Sequence, residues 1–203
     1  MPFRCDAPYF YDTLGSNTRS RSAGGTQSVP PLSEALPGKL ELRPDQQVDS
    51  VAEIDARALY DRGIRAIAFD ADQTLCRFHG MGINDRLLTN IEVMRGLFAD
   101  RLCIISNCTD RRREELIEHF PLHVVPASKR KPSAEPYREA ERHFDVPPEQ
   151  WAFVGDRILT DIVGANRAGW HSILVKPLAP ETDPWFITMA RAYERLLWRT
   201  YRM

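Results

Sequence analysis

Polar and apolar positions along this chain follow two periods in turn. Short, largely apolar runs, "IRAIAF" (64–69), "LCIIS" (102–106), "LHVVP" (122–126), "WAFVG" (151–155) and "HSILV" (171–175), have the length and residue types of buried strands. Between them lie helix-like stretches: about 85 to 99, from Asp110, after Ser133, and up to Gly169. Strands that are apolar along their whole length need cover on both sides. The alternation therefore predicts an α/β fold, a Rossmann-like doubly wound parallel sheet of five strands with helices on both faces. Ahead of the first strand, Ser50 and Glu53 have the spacing of a capping box and Gly63 sits at a helix stop, so one helix is expected between them.

The ends of the chain read differently. Residues 1–38 are rich in Ser, Gly, Pro, Thr and Asn without a hydrophobic period, which predicts a disordered tail. Part of it, "NTRSRSAGGTQS", has the composition of a transit peptide, but Asp6 and Asp12 count against one. The folded domain is expected over 39–180, and 181–203 as a basic amphipathic helix. On a helical projection Phe186, Met189, Tyr193, Leu196 and Leu197 share one face, with Arg191, Arg195, Arg199 and Arg202 opposite. That helix either docks by its apolar face with arginines in water, or lies in a membrane interface with Trp185 and Trp198 at headgroup level.

Composition narrows the function classes. Length suits one domain, and 27 Lys and Arg against 28 Asp and Glu give no overall basic field, so a nucleic-acid partner is not expected. No apolar run is long enough for a membrane span or a signal h-region, and the expected location is cytoplasmic. Cys5, Cys76, Cys103 and Cys108 form no Cys-x-x-Cys pair and are read as reduced thiols.

In a doubly wound sheet, ligands sit beyond the carboxyl ends of the strands. There the chain places Asp70, Asp72 and Thr74 after the first strand, Ser106 and Asn107 after the second, Lys131 past the third, and Gly155, Asp156 and Asp161 after the fourth. Singly, each is an ordinary turn or cap residue. Together they suit phosphoryl transfer through an aspartyl phosphate. An ionised carboxylate is a weak nucleophile that needs an electrophile with its charge neutralised, and Mg2+ on Asp70, a carbonyl near Asp72, and Asp156 would do that. The cation also makes two close carboxylates tolerable.

The four segments, D-x-D-x-T, strand-Ser, Lys-Pro and G-D-x4-D in that order, resemble the haloacid dehalogenase superfamily of phosphohydrolases. "GDRILTDIVGANRAG" and the lead-in to the first strand resemble its subfamily IIIA, the phosphatidylglycerophosphate phosphatase-like group. The resemblance implies Asp70 as nucleophile, Asp72 as acid/base, Thr74, Ser106, Asn107 and Lys131 as phosphate contacts, Asp70, Asp72 and Asp156 as Mg2+ ligands, and Gly155 and Asp161 as supports. Gln73 stands where the subfamily usually has Asn, which points to an altered loop contact. Lys129 is the other candidate lysine; Pro132 favours Lys131.

Neither gap between motifs can hold a folded insertion, so no cap domain is expected. An open site accepts a phosphate on something large. A lipid phosphate such as phosphatidylglycerophosphate is the expected substrate. The alternatives are a soluble nucleotide, sugar phosphate or nucleic-acid end, or a binding module without turnover. His79, in the one flap-like loop "CRFHGMGIND", reads as a surface histidine.

Overall fold

The computed structural model describes residues 42–80, 82, 85–126 and 128–201, without the side chain of Tyr201. The tail expected over 1–38, and Arg202, lie outside these residues. In chain order the elements are β1 (Gln46–Gln47), α1 (Ala56–Asp61), β2 (Ala66–Phe69), α2 (Asp85–Phe98), β3 (Leu102–Ile104), α3 (Asp110–His119), β4 (His123–Val124), α4 (Glu135–Phe144), β5 (Trp151–Gly155), α5 (Val163–Ala168), β6 (His171–Leu174) and α6 (Trp185–Tyr201). All strand pairs are parallel, in the order β1-β6-β5-β2-β3-β4.

The fold is the expected doubly wound α/β sheet, with six strands rather than five. The extra strand, β1, is polar and two residues long. It joins the edge with Gln46 beside Ile173, and the Val48 amide donates to Leu174 O at 3.1 Å. Backbone pairing alone makes it a strand, so no apolar run announced it. The single helix expected after Ser50 is also broken in two. Ser50 Oγ caps a 3-10 turn at the Ala52 amide (3.1 Å), and Asp55 Oδ1 separately caps α1 at the Ala58 amide (2.9 Å).

Period-two alternation within the central strands divides the core. Ile67 and Phe69 of β2 face a layer with Leu87, Met94 and Phe98 of α2 and Leu116 of α3. Ala66 and Ala68 face the other layer, with Tyr137, Trp151 and Trp170. Small alanines make room there for the Trp151 and Trp170 rings, which stack with centroids 4.3 Å apart. Each fully buried large side chain contributes roughly 1.5–3 kcal/mol from water exclusion. This two-sided burial holds the carboxyl ends of β2 and β5 side by side.

Candidate active site

Strand order reverses at β2, which has β3 on one side and β5 on the other. The crevice beyond this point is where such sheets bind ligands. Asp70 is the first residue past β2, and its amide still donates to Val154 O on β5 at 2.8 Å. Asp70 Oδ1 accepts a bond from Lys131 Nζ at 2.7 Å, and the same ammonium lies 2.8 Å from Asp161 Oδ1. Lys131 is buried, whereas Lys129 is exposed and does not line the cleft.

Two expected phosphate contacts have other work. Asn107 Oδ1 accepts from the Lys131 amide at 2.7 Å and its Nδ2 donates to Lys131 O at 3.0 Å, so the side-chain amide positions the lysine backbone. Thr74 is buried and its hydroxyl donates to Asp156 Oδ1 at 3.3 Å, so it props a carboxylate. Ser106 lines the cleft, as expected of a phosphate contact.

Asp156 follows Gly155 at the end of β5, and Asp161 folds back over that glycine. Asp161 Oδ2 accepts from the Arg157 amide at 3.0 Å. A Cβ on Gly155 would lie 2.5–2.6 Å from three Asp161 side-chain atoms, so the approach requires glycine. Asp70, Asp156 and Asp161 are the carboxylates gathered among the described residues, each offering an oxygen within 4.8 Å of the others. Three buried hard donors at this spacing fit a small divalent cation. Asp72, expected among the metal ligands, has its side chain outside this group. Its Oδ1 accepts from Arg112 Nη2 at 2.8 Å and from the His79 amide at 3.1 Å. The counter-charge from α3 draws that carboxylate aside, while Asp161, expected only as support, stands in the cluster.

Burial pushes the Asp70 carboxyl up to about 6 against the opposing pull of Lys131. Burial likewise pushes Asp156 up to about 7, with Arg191 opposing. A cation between them favours the charged form of both.

Residues 31–179 match the family described as mitochondrial PGP phosphatase. The chain belongs to this family. It is 30% identical over 152 residues to a probable phosphatase, YqeG, of Bacillus subtilis, covering 75% of this chain and 87% of that one. It is 28% identical over 162 residues to the chloroplastic/mitochondrial phosphatidylglycerophosphate phosphatase 1 of Arabidopsis thaliana, covering 76% of this chain but 46% of the plant protein. A third relative, a haloacid dehalogenase-like hydrolase domain-containing protein of Xenopus laevis, is 34% identical over 95 residues, 43% of this chain and 38% of that one. This member of the PGP phosphatase family is thus a phosphatase of the haloacid dehalogenase type.

In this family member the C-terminal helix docks by a different face from the one expected, with Leu197 alone of the expected five turned inward. Ile187, Arg191, Glu194 and Trp198, at helical spacing, point inward. Glu194 is buried and accepts from Arg157 Nε at 3.1 Å and the Leu159 amide at 3.2 Å. Leu197 and Trp198 pack against Leu42, Ile158 and Val163, so Trp198 is not at an interface. Trp185 (78% exposed), Met189 (64%) and Leu196 (61%), with Phe186 and Tyr193, face outward. Buried ion pairs of Arg191 and Glu194 accompany the apolar contact of Leu197 and Trp198 on the docked face of this helix. Its first turns supply Phe186, Ile187 and Arg191 to the cleft, which measures about 400 Å3.

Two site residues, Arg112 and Arg191, are given no role by the sequence. Arg112 lies within the run "RRR", and its four-residue spacing from Leu116 is the one signal that it faces inward. Arg191 is one of several arginines on its helix and carries no distinguishing signal. Gln73 was noted as a departure. The structure shows its contact: the amide exchanges bonds with the Ala179 backbone (2.8 and 2.9 Å) and donates to Asp183 Oδ1 at 2.6 Å.

Proposed function

We propose that this chain is a Mg2+-dependent phosphomonoesterase that works through an aspartyl phosphate on a lipid phosphate of the phosphatidylglycerophosphate kind. The observation that carries the reading is the Asp70–Lys131 pair at the strand-order reversal, with Asp156 and Asp161 in ligand reach.

Asp70 attacks phosphorus, forming an acyl phosphate as the ester P–O bond breaks. Asp72 donates a proton to the departing alkoxide and later takes one from the water that attacks the acyl phosphate, releasing inorganic phosphate and restoring Asp70. With Asp72 Oδ1 held by Arg112 and the His79 amide, Oδ2 is the oxygen left to carry the proton. Lys131 keeps Asp70 ionised and offsets phosphoryl charge, and Ser106 hydrogen-bonds a phosphoryl oxygen. Mg2+, when bound by Asp70, Asp156 and Asp161, supplies the charge neutralisation that lets one anion approach another.

The lipid assignment is supported by the names of relatives, by a cleft over which no inserted domain stands among the described residues, and by the outward apolar face of α6 at its rim. Arg195 and Arg199 of the same helix are also exposed, and exposed cations on a helix with an uncovered apolar face suit an anionic bilayer surface. No helix among the described residues is long and apolar enough to cross a membrane, so the contact proposed is peripheral. The test is phosphate release with Mg2+ from vesicle-borne phosphatidylglycerophosphate and from glycerol 3-phosphate, with vesicle co-sedimentation. The lipid should be strongly preferred and the full chain should sediment with anionic vesicles at low salt. Equal rates on both substrates, without sedimentation, would refute the lipid reading. No release from any ester, with and without Mg2+, would refute the chemistry.

A further inference from the structure

Arg191 stands on the inward stripe of α6, beyond the residues matched by the family, yet its guanidinium reaches the end of β5. Nη2 donates to Asp156 Oδ2, Nη1 to Asp156 O at 3.3 Å, and Nε to Asp183 Oδ2 at 2.6 Å. Asp183 is gripped on its other oxygen by Gln73, two residues before which the chain leaves Asp70's neighbour Ala71. A continuous set of bonds, Gln73–Asp183–Arg191–Asp156, therefore ties the D-x-D-x-T turn, the C-terminal helix and a candidate metal ligand together. Asp156 and Asp183 have side chains only 1% exposed, so water has little room to replace Arg191 when it leaves.

Charge makes that arrangement conditional. The buried carboxylates of Asp70, Asp156 and Asp161 receive two internal cations: Lys131 serves the first and third, and Arg191 serves Asp156. A divalent cation on the cluster satisfies Asp156 and repels a guanidinium held on the same carboxylate. We propose that Arg191 is a positioning residue that stands in for the divalent cation at Asp156. It occupies the carboxylate in the absence of the cation, and it gives way when the cation binds. This rests on the proposal above that the cluster takes a divalent cation. Because linkage is reciprocal, cation binding loosens α6 by the same factor by which docked α6 weakens cation binding.

The experiment uses the full chain at alkaline pH with two readouts that do not involve turnover. Mn2+ titration followed by electron paramagnetic resonance should give about tenfold tighter binding for Arg191→Gln than for wild type, the scale of an ordinary coupling between sites. A residue that merely built the ligand geometry would weaken binding on removal. Hydrogen exchange in α6 should quicken in wild-type protein on saturation with Mg2+, and should be fast and Mg2+-independent in the variant. Gln73→Ala, which frees Asp183 without touching the three carboxylates, should tighten Mn2+ binding in the same direction. Weaker or unchanged Mn2+ binding in Arg191→Gln overturns the proposal. So does wild-type α6 exchange that is unchanged or slowed at saturating Mg2+, a measurement that stands even where a variant fails to fold. Mn2+ bound with no response in α6 removes this inference alone, whereas no Mn2+ binding at all removes the metal reading as well.

Discussion

Adding one methyl group at Gly155 tests whether the close fold-back of Asp161 sets the site. The backbone of Gly155 is not in the left-handed region, so alanine is conformationally permitted and the effect is steric. The new Cβ would stand 2.5 Å from Asp161 Oδ2 and 2.6 Å from its Cβ and Cγ, about 1 Å inside ordinary contact. The Asp161 Cβ is bonded to the backbone and cannot swing away. Asp161 must shift, and it holds Lys131 at 2.8 Å and the Arg157 amide at 3.0 Å. Overpacking of this kind costs roughly 1–3 kcal/mol, or about 2–12 °C in Tm for a chain of this size. Displacing Lys131 from Asp70 by about 1 Å should lower kcat by up to roughly 100-fold. Thermal unfolding and steady-state kinetics are compared with Gly96→Ala, in the interior of α2 with nothing within 4 Å of the added Cβ, which should be neutral or stabilising by up to about 1 kcal/mol. Gly155→Ala with Tm unchanged and kcat within threefold of wild type would refute the reasoning.

Asp70→Asn should abolish turnover with Tm little changed, because an amide cannot form the acyl phosphate; activity within tenfold of wild type would remove Asp70 as nucleophile. Arg112→Met should free Asp72 and the Gly80 carbonyl that the guanidinium also holds at 2.8 Å, lowering kcat about 10- to 100-fold on poor leaving groups and less on good ones in single-turnover assays. Buried Asp70 and Asp156 bind protons more tightly folded than unfolded, so the stability they contribute is greatest below about pH 4 and is lost as pH rises through about 6 and 7. Mg2+ displaces those protons; hence the Tm gap between Mg2+ and chelator should widen from about pH 5 to 8, by at most about 1.4 kcal/mol per pH unit per proton. A gap independent of pH would contradict the assignment of these carboxylates to the cation.

Much of this protein was legible in the order of its residues. The runs "WAFVG" and "IRAIAF" became β5 and β2 because continuous apolar stretches of that length have no stable place except inside a two-sided sheet. The carboxyl ends of those strands then bring Asp70 and Asp156 together, and the loop after β4 adds Lys131 from the same edge of the sheet, which follows from topology once the strands are known. What tertiary structure alone decided are pairings between residues far apart in the chain. Thr74 props Asp156, Asn107 holds the Lys131 backbone, Arg112 takes Asp72, and Gln73 latches Ala179 and Asp183. The C-terminal helix makes the reason plain. Its sequence offers one apolar stripe and one that mixes Ile187 and Trp198 with Arg191 and Glu194, and periodicity favours the apolar one. The choice fell to Asp156, Asp183 and Arg157, whose charges meet Arg191 and Glu194 across a buried contact. Hydrophobic pattern is a local property of a segment, whereas electrostatic complementarity belongs to a pair and exists only when the fold has placed both partners.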